Sequence, residues 1–109
     1  MAGGASLQSA ATTGNGNEYN CQGVAGQYVL RVIGAGTITT GELQLEEALT
    51  SGYTGTWAPL GPPVTPVSGQ VVSVTFSGAP AIVRARISVD VTGSGGSVTV
   101  KLQPPLIGE

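Results

Sequence analysis

The side chains able to do chemistry are few: six carboxylates (Glu18, Glu42, Glu46, Glu47, Asp90, Glu109), one thiol (Cys21) and no histidine. Without histidine the commonest general base and metal ligand is missing. A single cysteine cannot form an internal disulfide, and without histidine it gives transition metals no ligand set. Cys21 therefore reads as a small, semi-buried thiol. Glycosidase chemistry needs two carboxylates facing one cleft. Glu46 and Glu47 are neighbours, so on a strand they point to opposite faces. Glu42 and Glu46 share a face, as ordinary solvated carboxylates also do. "NGNE" at 15–18 is too sparse in oxygens for a calcium loop. "GAGTITTG" and "GSGG" lack the lysine and the strand–loop–helix setting of a phosphate loop, and read as turns. No catalytic residue, metal ligand or cofactor site is expected.

Trp57 opens the stretch "WAPLGPPVTPVSG", which carries Pro59, Pro62, Pro63 and Pro66. A sugar-binding module would display tryptophan and tyrosine as stacking platforms, and Tyr53 lies close to Trp57 in sequence. The whole chain, however, has one Trp, three Tyr and one Phe from which to build a core. Trp57 is therefore expected in the core or at an interface. Proline cannot donate to a ladder, so 59–66 is expected to leave the sheet as a stiff crossing.

With 109 residues the chain is long enough for one domain and one core. Only 9 % of it is charged, against roughly 25 % in an ordinary soluble domain. Much of the surface must then be Ser, Thr, Gly, Asn and Gln, which suits an extracellular or particle-bound protein, or one whose outside is largely covered by neighbours. The basic residues Arg31, Arg84, Arg86 and Lys101 form no run and the net charge is −2, so nucleic-acid binding is not expected. No stretch has the length of a membrane span or the form of a signal peptide, and synthesis in a cytoplasm is expected.

Residues 1–26 are Gly, Ala, Ser, Thr, Asn and Gln with almost no large apolar side chain. Such a segment cannot offset its ordering entropy alone, and is expected as an extended arm held by other molecules. Residues 27–109 are expected to form the β-domain. "QYVLRVIG" (27–34) sets Tyr28, Leu30 and Val32 on one face, and "QVVSVTFSG" (70–78) sets Val72, Val74 and Phe76 together. "AIVRARISVDVTG" turns Val83, Ala85, Ile87, Val89 and Val91 one way and Arg84, Arg86, Ser88 and Asp90 the other. "SVTVKLQ" turns Val98, Val100 and Leu102 inward, and "GSGG" between these two predicts one long hairpin. Within 36–50, a helix is weighed against two strands, 36–41 and 42–50. Strand is favoured, with Leu43, Leu45 and Leu49 on one face and Gly41 suited to a bulge. A short seventh strand is weighed around Thr56–Leu60. The expected fold is all-β, an antiparallel β-sandwich of jelly-roll type with an N-terminal arm.

"TGTWAPLG", followed by "IVRARISVDVTGSGGSVTVKLQ", resembles the small β-sandwich virion proteins of tailed bacteriophages. The elements that carry the resemblance are Glu47–Leu49, Thr56–Leu60, Val83–Ile87 and Val98–Leu102, within about residues 27–103. The resemblance implies a structural, non-enzymatic role, foremost as a capsid decoration (cement) protein on the virion surface, with tail or head–tail pieces as the alternative. It implies the major capsid protein as partner and a homo-oligomer, with a trimer favoured. A carbohydrate- or receptor-binding module is the competing class. The candidate interface residues are Leu7, Tyr19, Trp57, Arg84 and Arg86.

Overall fold

A computed structural model describes residues 5–103, so the first four residues of the expected arm and the carboxylate of Glu109 lie outside the described residues. The described residues form eight strands: β1 (Ala5–Ala11), β2 (Tyr19–Asn20), β3 (Gly26–Ala35), β4 (Thr40–Ala48), β5 (Ala58–Pro59), β6 (Val71–Gly78), β7 (Ile82–Thr92) and β8 (Ser97–Gln103). They form two antiparallel four-stranded sheets, ordered β1-β8-β3-β6 and β2-β7-β4-β5. The described residues are all-β and make a sandwich. The pairs β1·β8, β2·β7, β3·β6 and β4·β5 are nested, and only the β4–β5 connection stays within one sheet.

The inner faces carry the residues that period-2 alternation assigns to them. Tyr28, Leu30, Val32, Val98, Val100 and Leu102 from the first sheet meet Leu43, Leu45, Val83, Ala85, Ile87 and Val91 from the second. Val72, Val74 and Phe76 are only partly buried because β6 is an edge strand. Val89 departs from expectation and is 46 % exposed.

Three expectations are corrected. The 36–41 strand is absent as a separate element: β3 ends at Ala35 and β4 starts at Thr40. A register shift does fall between Thr40 and Glu42, where Gly41 takes a φ of 154° that disfavours any side chain.

The second correction concerns the long hairpin. β7 and β8 lie in opposite sheets, so residues 93–96 form an arch across the core. Alternation says which face of a strand is buried, and a strand beside another or facing it satisfies that equally. Close backbone packing favours the arch. Gly93 has φ 129°, and a Cβ there would collide with the Thr37 carbonyl of the parallel arch between β3 and β4. The two arches are joined where Thr37 N–H donates to Ser94 C=O and Thr39 N–H to Thr92 C=O (3.1 and 2.7 Å).

The third correction concerns the arm. Residues 5–11 are a sheet strand along β8, with Leu7 fully buried. Residues 12–21 then cross to the other sheet and run along the free side of β7. Val91 N–H donates to Thr12 C=O, Ile87 N–H to Gly14 C=O and Cys21 N–H to Ala81 C=O. The segment lacks apolar bulk, yet it supplies backbone groups to two strand edges, and that compensates for its composition. Between the Gly14 and Tyr19 pairings with β7, the Ala85 carbonyl is taken by a side chain. Gln8 Nε2 donates to it at 2.7 Å, and to Gly14 C=O at 3.2 Å. Gln8 is buried and links β1 of one sheet to β7 of the other.

Gln8→Leu keeps the bulk and removes the donor, leaving the Ala85 carbonyl buried and unpaired. The expected loss is about 1–3 kcal/mol in urea unfolding. An unchanged midpoint would show that the tie is dispensable.

Candidate functional site

The outer face of the β2-β7-β4-β5 sheet carries the ion pairs found among the described residues. In the β4·β7 register Ala48 stands opposite Ile82, Glu46 opposite Arg84 and Gln44 opposite Arg86. Glu46 accepts from Arg84 Nε at 2.9 Å through Oε1 and from Arg86 Nε at 3.0 Å through Oε2. At 6 % exposure it is not the solvated carboxylate that its strand position suggests. Two charge-assisted hydrogen bonds offset its desolvation. Glu42 is drawn in at the other end, where Ser88 Oγ donates to its Oε1 at 3.1 Å. Glu47 takes the opposite side of β4, as adjacency requires.

Trp57 closes this face. Its ring packs on Ala48 and Ile82, and the Arg84 guanidinium carbon lies 4.2 Å from the ring centroid. That distance is within cation–π range. Its indole Nε1 donates to Tyr53 C=O at 2.9 Å, which leaves the buried polar tip satisfied. Trp57 is thus in a small cluster of its own, outside the inter-sheet core.

The proline-rich stretch does not leave the sheet where expected. Ala58 and Pro59 pair with Glu47 and Glu46, Leu60 N–H donates to Leu45 C=O, and Val64 exchanges two bonds with Leu43. Residues 58–64 therefore serve as a broken edge strand along β4. Edge positions tolerate proline because its missing donor faces outward. Only beyond Val64 does the chain cross toward β6, with Gly34 N–H bonded to Gln70 C=O.

The turn between β4 and β5 carries Leu49, the most exposed large apolar side chain among the described residues. β4 ends at Ala48, so Leu49, expected on the inward face, is 89 % exposed, and Tyr53 is 44 % exposed. They border an open pocket of about 550 Å³ walled also by Ala48, Thr56 and Ala58, with Glu47 as its charged group. Glu18, arriving from the segment before β2, holds this turn. Its carboxylate accepts from Ser51 Oγ at 2.7 Å and Gly52 N–H at 2.9 Å. These bonds to Ser51 and Gly52 lower its pKa below the usual value.

The sequence-derived interface candidates are dispersed. Leu7 is buried in the inter-sheet core, and Trp57 is buried as expected, within the outer-face cluster beneath the turn. Tyr19 packs partly buried against the core. Arg84 and Arg86 do lie on the outward face, but Arg84 is covered by Trp57 and Arg86 is the more open of the two. Leu49 and Tyr53 were not candidates. Their signal was the turn cluster "TSG" directly after Leu49, which ends the strand before its apolar alternation is complete. Burial pushes the Cys21 thiol up, away from thiolate reactivity at neutral pH. Among the described residues no three His, Cys, Asp or Glu side chains gather as metal ligands would. No family model, curated protein or solved structure matches the chain.

Trp57→Ala should cost about 3–5 kcal/mol, the range for emptying an aromatic site. Arg84→Ala should cost about 1–3 kcal/mol, because it uncovers the indole and takes one partner from buried Glu46. Chemical denaturation measures both; a near-zero value for Arg84→Ala would mean that its contacts are not held in solution.

The depressed pKa of Glu18 fixes the sign of a pH effect. A lowered folded-state pKa gives stability that is present above the unfolded pKa and lost as pH falls through the folded one. The turn should therefore loosen only below the ordinary carboxylate range. Gly52 amide exchange followed down the acid limb should show a step that is missing in Glu18→Gln.

Proposed function

We propose that this protein is a structural component of a tailed-phage virion, a capsid decoration protein seated on the outer surface of the head through the β4–β5 turn. What supports the reading is the nested strand order, which we take as a jelly roll. That arrangement recurs in viral capsid domains and in lectins, and the step from it to a role is one of fold-level analogy. The turn gives the analogy a place to act. Leu49 and Tyr53 are exposed apolar side chains on a segment pinned by Glu18 and Trp57, and exposed apolar patches of this kind mark protein contacts. The major capsid protein is the proposed partner, and self-association accompanies it. Ordering the N-terminal segment on the shell is no longer a necessary part of the proposal, since residues 5–21 have partners within the chain.

A second reading, a glycan-binding module, is favoured by one observation: the half-exposed Tyr53 ring beside a pocket. Trp57 is not its platform, because the residue is buried against Arg84, Ala48 and Ile82 and its N–H is bonded to the Tyr53 carbonyl.

The test is co-sedimentation of purified protein with heads assembled from the major capsid protein of the same phage. Leu49→Asp combined with Tyr53→Ala should reduce retention by roughly ten-fold or more while the melting curve stays unchanged, as removal of a central apolar anchor does. Retention unaffected by the pair, together with loss of binding on a glycan array, would replace the first reading by the second.

A further inference from the structure

Three of the four sheet edges carry a device that stops another strand from pairing. β1 has two register shifts, Ala10 sits at φ 46°, and Asn17 covers the edge with bonds from N–H to Leu7 C=O and from Nδ2 to Ser6 C=O. β2 is only two residues long. β5 is short and runs into Pro59, Pro62 and Pro63. Irregularity, shortness and proline are the usual means of blunting an edge.

β6 has none of them. Val71–Gly78 is "VVSVTFSG", eight residues in unbroken register with β3, without a charge or a proline. Its other side has no partner among the described residues. The phase of its free groups follows from one bond. Gly34 N–H donates to Gln70 C=O, and Gly34 and Gln70 stand opposite each other when the register Ile33↔Val71 is extended by one. Hydrogen-bonded positions alternate along an antiparallel pair. Val72, Val74 and Phe76 therefore turn their backbone groups to β3, and Val71, Ser73, Thr75 and Ser77 turn theirs outward.

We propose that β6 pairs antiparallel with β6 of a second copy of this chain, with the two-fold axis at Val74. Centred there, Ser73 stands opposite the partner's Thr75 and Val71 opposite the partner's Ser77, so all four outward residues of each copy are in hydrogen-bonded pairs. On the inner face Val74 meets the partner's Val74, and Val72 meets the partner's Phe76. That covers three side chains which the monomer leaves only partly buried. The self-partner is favoured because the edge is uncharged and antiparallel pairing of one strand with itself is complementary by symmetry. A trimer would need two different edges to meet around a three-fold axis, and the other three are blunted. The two sheets of four become one continuous sheet of eight across the dimer. The pairing is independent of the capsid reading, and is tested without heads.

Sedimentation velocity of the full chain, from micromolar to near-millimolar concentration, should show a monomer–dimer equilibrium. Ser73→Glu with Thr75→Glu places like charges opposite each other at two symmetric pairs, and should weaken association by roughly ten-fold or more. Ser73→Glu with Thr75→Lys places opposite charges at the same pairs and should leave the dimer intact. Both positions are outward-facing and exposed, so circular dichroism should show a wild-type fold in each variant. Thr75→Pro, which removes only an outward N–H, supplies an independent break. A wild type that stays monomeric at the highest concentration, a trimer, or a dimer that survives both the Glu/Glu pair and the proline would each overturn the proposal.

Discussion

A sandwich of two four-stranded sheets has four edges, and each edge is a row of backbone donors and acceptors without a strand beside it. Many proteins guard such rows with lysine and other charges. This chain has ten charged side chains in 109 residues, and cannot. In the β2-β7-β4-β5 sheet it lays irregular backbone along the outer sides of the two central strands instead. Residues 12–21 lie along β7, and residues 58–64 lie along β4. Both segments are too poor in apolar side chains, or too rich in proline, to be independent strands. Each is held because the strand it covers is already fixed by the core.

The same scarcity explains why the charges that remain are grouped. Glu46, Arg84 and Arg86 are on two adjacent strands, and each is a partner to another. A buried carboxylate with no partner would cost several kcal/mol, whereas one with two guanidinium donors is close to balanced. The group adds little net stability by itself. Its consequence is positional: Arg84 is held against the Trp57 ring, and Trp57 directly precedes Ala58, where β5 begins. Sheet pairing, ion pairing and the docking of the proline-rich stretch are therefore one coupled arrangement on the outer face.

What was legible in the sequence was alternation. The faces of β3, β7 and β8, the bulge at Gly41 and the strand rather than helix at β4 all follow from period-2 patterns and one glycine. Alternation carries no information about which strand lies beside which, so β7 and β8 were expected as a hairpin and are found in opposite sheets. Composition misled at the N-terminus for a related reason. A strand that contributes mainly backbone hydrogen bonds and one leucine has no apolar signature, and the role of Gln8 depends on a carbonyl 77 positions away in the chain. At the turn, Leu49 was counted with Leu43 and Leu45 because its spacing is right. The strand simply stops one residue earlier.

The nested order also determines where variation is cheap. Every connection except the β4–β5 turn must carry the chain between sheets, and the arches at 36–39 and 93–96 do so in contact, with no room for a side chain at Gly36 or Gly93. The β4–β5 turn has no such duty. It lies at the innermost hairpin of the nest, its residues 49–56 outside the inter-sheet core, and between its tethers to Glu18 and Trp57 its side chains can vary without moving an inter-sheet core residue. A segment so placed would ordinarily be mobile. Here Glu18 holds one end through Ser51 and Gly52, and the Trp57 indole holds the other through Tyr53 C=O. Tethering at both ends lowers the entropy lost on contact with a partner. The fold thus leaves one connection free of structural work, and then spends its one tryptophan and a carboxylate on keeping that connection rigid.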